Sequence, residues 1–579
     1  MRRGLSLLFV LIIACGDDAT LPIGDASTAP DVSADAALDS ATDAEPRDAQ
    51  ADAPDPVASV YDPERVLEVS ITLPPASWDS LRNQSRSLVQ TLSGDCLDAP
   101  FDQPFSWFEG SVTIDGEEFA RVDVRKKGFI GSLSTERPGL KLDLSEYVEG
   151  QRYSGVRRFT LNNSVSDPSV IRQCLGYALF AQAGIPSPRC NFAHVTVNGE
   201  DLGLYVNVEA IKGDFLEAGF GNRDGNFYEG TLSDFTPEMA TTFEPKNNEE
   251  VTERTDIMPV VRALEIEDDA TMLSALEALV DIDAFINFWA METLTEHTDG
   301  YNANRNNYYV YFDEADGLMR FVPWGIDSIL GGATVAQNLR ESVYARAALS
   351  HRLYQLPSVR ARYFARLDVL LDTLWDETAI DAEIQRMRDL VRPFAEGEVL
   401  ARMTRSTDEL RSAVVNRRAS IEVERGPEDP DVGDAEPAFA CFMDQGSVMG
   451  TFETTWGTLD MNSFSSPATL ELVIAGETLT FNTYGSAAGI GDQGATLLLL
   501  GNQGAGRTWV LSISPPRPLF TPGTVDLDAI GVTGFVGTLD FGAFNLFGFF
   551  SGEVVFSEAG SSAGAAVVGT LDGSVYTGL

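Results

Sequence analysis

Histidine is nearly missing from this chain: three residues in 579, at His194, His297 and His351. Cysteine is scarce as well, five in all, with no C-x-x-C pair. Together these gaps argue against a structural zinc site, which draws its ligands from clustered Cys and His. The phosphate-loop pattern G-x-x-x-x-G-K-[ST] does not occur, and no repeat of 20–50 residues is seen. Positive charge is short: Lys plus Arg number 41 against 87 Asp plus Glu, a formal net charge of −46. Such a surface repels polyanions, so nucleic acid is excluded as a natural partner. What remains is ordinary globular composition, 44% hydrophobic and 22% charged, with length for two or three domains.

The N-terminus carries a processing signal. Arg2 and Arg3 precede an apolar run from Leu5 to Ile13, too short to cross a bilayer as a mature helix. Its end, "LIIAC", resembles a bacterial lipobox. That resemblance implies a signal peptide over 1–14, cleavage before Cys15 and lipidation of Cys15; a plain secretory signal is the alternative. The protein is therefore expected to be exported and lipid-anchored to a bacterial membrane. Residues 15–60 are rich in Asp, Ala, Pro and Ser and poor in large apolar side chains, so they read as a disordered acidic tether. Export makes disulfides plausible. Cys96, Cys174, Cys190 and Cys441 allow three connectivities, with Cys174–Cys190 the first choice.

From residue 61 the texture is α+β. Alternating segments at 66–73 and 140–144 read as strands. Hairpins are expected to turn at Asp115-Gly116 and Asn198-Gly199. A helix is expected over 167–184, with Asp167 as N-cap, Pro168 in its first turn and Gly184 just past its end. Helical periodicity covers 270–297 and 356–422, and a Pro/Asp linker follows to 437. From 438 helical periodicity vanishes. Closely spaced strands with Gly and Pro turns suggest a separate β-sandwich over 438–579.

Two motif matches carry no chemistry. "GIGDQG" at 489–494 sits among strands, with no helix after it, and "GSSAG" around Ser562 has no histidine in its domain. The segment "HTDGYNANRNNYYVY" (297–311) is different. As an EF-hand it fails, with Asn304 where glycine is needed and Val310 where a bidentate Glu is needed. It leads, however, into a third hairpin, with strands near 308–312 and 318–322. A hairpin brings its open ends together, so Asp299, Asn304, Asn306 and Asn307 should lie beside "PWGID", which ends in Asp327. Oxygen ligands of this kind suit a hard cation and phosphate, and a spare carboxylate can take a hydroxyl proton. Protein kinases use the same logic, with an Asp and an Asn five residues on ahead of a short hairpin and a metal-binding Asp after it. The plainer reading is that these side chains cap turns. A glycine-bearing loop at Gly128 and Gly131, followed by a strand carrying Lys141 opposite Leu140, Leu142 and Leu144, offers backbone N–H groups and a cation to phosphate.

These segments, in order over residues 62–425, resemble the CotH family of spore-coat-type atypical kinases. The resemblance rests on "VRKKGFIGSLS", "VTVNGEDLGLYVNVE", "GNFYEG", "FEPKNN", "HTDGYNANRNNYYVY" and "FVPWGID". It implies a two-lobed kinase-like domain over 61–425, with a β-rich and a helical lobe. It implies ATP, a divalent metal (Mg²⁺ or Mn²⁺) and transfer to Ser/Thr of an envelope or coat protein. By match, Asp299 takes the catalytic position, Asn307 is the family's Asn before the Tyr-Tyr strand, Lys141 contacts phosphate, and Glu209 falls at the hinge of the nucleotide site; the metal is expected on Asp327 with Asn304 or Asn307. Many family members read Pro-Trp-Asp, that Asp being the metal ligand. Here Gly325 stands in its place, and Asp327, two residues on, shares a face with it in an extended chain. The other reading is a surface binding or assembly protein that uses the same fold without catalysis, its β-domain taking a glycan or protein ligand.

Overall fold

The computed structural model describes residues 56–579 apart from 249–253, 333–335, 337, 427, 460–465, 492–493, 505, 541–542 and 579. The signal segment, Cys15 and nearly all of the acidic tether lie outside the described residues.

Turn chemistry shapes the first lobe. Asp115 and Gly116 have φ of 47° and 87°, and Asn198 and Gly199 have 53° and 81°. These are two-residue turns with both φ positive, which Asp-Gly and Asn-Gly adopt at little cost. They join β2 (Trp107–Ile114) to β3 (Glu117–Lys127), and β6 (Cys190–Val197) to β7 (Glu200–Glu209). With β1 (Val66–Thr72), β4 (Gly139–Asp143) and β5 (Arg158–Asn162) they form a closed barrel of order β1-β2-β3-β4-β5-β7-β6. The parallel pairing of β1 with β6 closes it. Every second residue fills the interior, including Leu67, Val69, Ile71, Val122, Val124, Leu140 and Leu142. The strand period then puts Asp123, Arg125 and Lys127 of β3, and Lys141 of β4, on the opposite face.

The second lobe is helical, with its core around Phe285, Trp289, Tyr301, Tyr363 and Leu410. Its main helices are Arg172–Gln182, Ile282–Leu294, Pro357–Thr373, Glu377–Val391 and Gly397–Arg425. A small sheet lies in this lobe, with β8 (Phe227–Gly230), β9 (Glu244–Pro245), β10 (Tyr308–Phe312) and β11 (Met319–Pro323) in the order β11-β10-β8-β9. The expected α+β fold with β-rich and helical lobes is therefore found.

The helix expected from Asp167 begins only at Arg172. The reason is that Asp167 is spent on the turn before it. Its carboxylate accepts from the Ser169 and Arg172 backbone N–H groups and pairs with the Arg172 guanidinium at 2.7 Å. Val170 in that turn has φ 68°, which no helix tolerates. Gly184 does follow the helix end with φ 80°.

The C-terminal region is all β, as expected. Among the described residues, ten strands between Phe442 and Gly578 make one antiparallel sheet, curled so that its two ends meet through Trp456–Ala488 and Ser466–Ser486 bridges. Pairing lapses between Thr478 and Thr483, and Phe481 folds onto Gly501, where a Cβ would come within 2.7 Å of its ring. This region packs on the barrel lobe. Cys96 and Cys441 form a disulfide, Ser87 Oγ donates to Asp528 at 2.6 Å, and Val89 and Leu92 bury against Phe442 and Phe549. Cys174 and Cys190 form the second disulfide. Among the described residues no helix is long and apolar enough to cross a membrane.

Candidate active site

Between the two lobes lies a cleft of about 1170 Å³. The outward face of β3 and β4 forms one wall, β8–β10 the floor, and the open end of the β10–β11 hairpin closes it. A cavity of this size exceeds the usual range for a small-molecule ligand, leaving room for part of a second reactant.

Asp299 sits at the closed end in a ring of asparagines. Its Oδ1 accepts from Asn304 Nδ2 at 2.6 Å and from Asn306 Nδ2 at 3.1 Å, and its Oδ2 accepts from Asn307 Nδ2 at 2.6 Å. Asparagine is dense here for two reasons. Asn307 has φ 53° and follows Arg305 at 56°, a left-handed stretch where Asn is favoured. Each amide also gives its nitrogen to Asp299, which turns its oxygen elsewhere: the Asn306 oxygen accepts from Leu232 N, and Asn304 and Asn307 are themselves lining residues of the cleft. Burial pushes the Asp299 pKa up to about 6 against the pull of the three donors. The loop is braced from behind. The buried Glu292 accepts from the backbone N–H of Tyr301 and Asn302, and Gly300 fits because a Cβ there would lie 2.3 Å from Glu292 Oε1.

Asp327 lines the same cleft. Burial, then the neighbouring charges of Asp167 and Asp299, raise its pKa to about 7. Gly325 has φ 54°, and a Cβ on it would stand 2.5 Å from Asn307 Cγ. The glycine is thus matched to Asn307, whose side chain occupies the space a residue there would need.

The opposite wall supplies cations. Lys127 donates to Asn162 Oδ1, lies 5.8 Å from the centre of the Trp324 ring, and is lowered to about 8 by burial although Asp327 and Glu229 oppose this. Lys141 is lowered to about 7 by burial, again opposed by Glu229. On the floor, Lys246 pairs with Glu229 at 2.5 Å and Glu244 at 2.6 Å. Gly128 and Gly131 line the cleft beside them. Gly128 has φ 131°, and a Cβ there would meet Ser132 Oγ at 2.7 Å, so that turn requires glycine.

Lys141, Gly128, Gly131, Asp299, Asn304, Asn307 and Asp327 therefore share one cavity. Glu209 does not. Its carboxylate is taken by Arg189, at 2.6 Å from Nη2 and 3.0 Å from Nε, and it is the next residues, Ala210 to Lys212, that reach the cleft. Sequence reasoning missed Lys127, Glu229 and Lys246. The alternation of β3 carries the signal for Lys127, since its partners Val122 and Val124 point inward.

Among the described residues no three His, Cys, Asp or Glu side chains are grouped to hold a metal. The donor set nevertheless suits Mg²⁺, which is commonly held by one or two carboxylates together with substrate phosphates and water. Asp327 is a half-buried carboxylate that feels the charges of Asp167 and Asp299, and a cation there relieves their repulsion.

A barrel lobe and a helical lobe, with a carboxylate loop facing lysines across the gap, define a kinase-like protein. The chain belongs to the CotH family: the family model described as CotH kinase protein matches residues 124–421. Inner spore coat protein H of Bacillus subtilis (strain 168) is 25% identical over 262 residues, covering 43% of this chain and 71% of that protein. An inner spore coat protein H-like protein of the same organism is 38% identical over 102 residues, 16% of this chain and 33% of the relative. Among solved structures, the crystal structure of a Helicobacter pylori proinflammatory kinase CtkA covers 49% of this chain and 94% of its own, at 12% identity and a TM-score of 0.25.

Proposed function

We propose that this protein transfers the γ-phosphoryl group of ATP to a Ser or Thr hydroxyl of an envelope or coat protein. The observation that carries this reading is the single cavity in which Asp299, held by three amides, faces Asp327, Lys127 and Lys141. Mg²⁺, when bound, would neutralise phosphate charge. Asp327 and the amide oxygens of Asn304 and Asn307 would hold it. Lys127 and Lys141 hold the phosphates, and the Gly128–Gly131 loop brings backbone N–H groups close to them. Asp299 orients the acceptor hydroxyl and takes its proton; a pKa near 6 suits a base working close to neutrality. Positioning and charge stabilisation do most of the work in phosphoryl transfer, so a preformed cleft is the main requirement. Lipid attachment through Cys15 would place this chemistry at a bacterial membrane surface, and the β-domain would engage a glycan or protein there.

One observation favours a second reading, a surface assembly protein without catalysis: Gly325 stands where the resemblance expects a metal-binding aspartate. The test is incubation of the full chain with γ-labelled ATP, Mg²⁺ or Mn²⁺ and a mixed protein acceptor, beside Asp299→Ala. Incorporation lost in the variant supports transfer. Equal incorporation removes Asp299 from catalysis, and no incorporation by either chain favours the assembly reading.

A further inference from the structure

Eight cationic and eight acidic side chains line the cleft, yet not every cation is ion-paired. Lys246 is paired with Glu229 and Glu244, and Arg158 with Asp143. Arg86 and Arg125 line the same cavity, and among the described residues neither has a carboxylate within ion-pair distance. The Nε of each is buried and has no hydrogen-bond partner. Arg86 is only 9% exposed, so its charge is largely withdrawn from water. The charge of Glu244 acts on both, with that of Asp102 on Arg86 and of Glu229 on Arg125, but none of these carboxylates closes to an ion pair, which leaves both guanidiniums open to a further anion.

Both groups are held ready. The Arg86 guanidinium lies 4.7 Å from the centre of the Phe129 ring and donates to the Asp102 carbonyl, and that of Arg125 lies 4.7 Å from the Trp107 ring. A planar guanidinium fixed on an aromatic face presents its N–H fork to a carboxylate or phosphate with little ordering left to lose. Their position differs from that of the transfer centre. Lys127 is the cation beside Asp327, whereas Arg125 lies two residues back along β3, next to Trp107, which is 41% exposed. Arg86 adjoins Ser87, which bonds Asp528 of the β-domain. The pair therefore sits where the barrel lobe meets the β-domain, and Phe439 and Leu546 of that domain line the same cavity.

We propose that the cleft selects an acidic Ser/Thr peptide as its acceptor, with Arg86 and Arg125 binding carboxylates that flank the hydroxyl. This deepens the kinase reading and rests on it. In the step, the hydroxyl oxygen bonds to the γ-phosphorus of ATP as the bond to the β–γ bridging oxygen breaks. The hydroxyl proton passes to Asp299, and ADP leaves. The chain contains a segment of this chemistry: residues 17–55 are acidic at eleven positions and basic only at Arg47, with Ser33, Ser40 and Thr42 each within two residues of an Asp.

The probe is therefore a synthetic peptide of residues 29–45, beside the same peptide with its four aspartates changed to asparagine. The enzyme is the full chain with Thr20, Ser27, Thr28, Ser33, Ser40 and Thr42 changed to Ala, so that label in the separated peptide reports transfer to it. Arg86→Gln or Arg125→Gln is expected to raise the peptide KM about tenfold and leave the ATP KM within twofold. The asparagine peptide is expected to be a poor acceptor and insensitive to both changes. An unchanged peptide KM, a raised ATP KM instead, or equal use of both peptides overturns the proposal. If no chain transfers phosphate to any acceptor, the kinase reading fails by itself. Anisotropy of fluorescent peptide 29–45 on the Asp299→Asn chain then decides the site: binding lost with Arg125→Gln upholds it, and no binding or no loss overturns it.

Discussion

Changing Gly325 to Asp puts back the residue that the resemblance expects as a metal ligand, yet the structure predicts damage. Two costs add. Gly325 has φ 54°, where an L-residue pays about 1–2 kcal/mol. The new Cβ would also lie 2.5 Å from Asn307 Cγ, so Asn307 must leave Asp299, to which it donates at 2.6 Å. Losing a hydrogen bond to a charged group costs about 1.5–3 kcal/mol. Gly325→Asp is therefore expected to destabilise the two-lobed domain by about 2.5–5 kcal/mol. Urea unfolding of the full chain, followed by tryptophan fluorescence, measures this, and calorimetric titration with Mg²⁺-ATP measures binding. In an Asn307→Gly background the clash is gone, and only the backbone term, about 1–2 kcal/mol, should remain. The coupling between the two changes is then about 1.5–3 kcal/mol. A Gly325→Asp chain as stable as wild type and binding Mg²⁺-ATP more tightly would refute the matched pair.

Nucleotide binding should take up protons. Burial lowers Lys141 to about 7 and Lys127 to about 8, so at pH 8.5 both are largely neutral in the free protein, and a polyphosphate beside them restores their charge. Calorimetry in buffers of different ionisation enthalpy should show net uptake at pH 8.5, fading below pH 7, with affinity weakening as pH rises from 7 to 9. Gly300→Ala places a methyl 2.3 Å from Glu292 Oε1 and 2.6 Å from His297 Cδ2, and should cut transfer by about tenfold or more, since each 1.4 kcal/mol of lost positioning is a factor of ten. Glu209→Gln should leave the ATP Kd within twofold, because that carboxylate serves Arg189. Cys96→Ser removes the tie to Cys441 and should lower stability by about 2–5 kcal/mol, with faster proteolysis in the segment 426–441.

Much of this site is legible locally. Asp-Gly and Asn-Gly specify their turns, and the mouth of the β10–β11 hairpin gathers Asp299 and Asp327 because hairpin ends must meet. Other parts depend on contacts that sequence spacing does not encode. Asp167 has the composition of an N-cap, but its carboxylate is taken by Arg172 and the turn at Val170. Glu209 sits at the right place in the chain and faces Arg189, a choice made by the neighbouring strand. The docking of the β-domain onto the cleft rests on Cys96–Cys441, 345 residues apart, and on apolar contacts from a short helix (Leu88–Thr91) and the residue after it. Lys127 could be read from the alternation of β3, but only once the barrel interior is known.

The most direct test is equilibrium titration of ATP into the full chain, with and without Mg²⁺, for wild type and Asp327→Asn. The account predicts saturable binding by both, tightened by Mg²⁺ in wild type by about tenfold and little changed by Mg²⁺ in the variant, since one metal–carboxylate interaction is lost there. No saturable binding by wild type, or the same Mg²⁺ response in both chains, contradicts it.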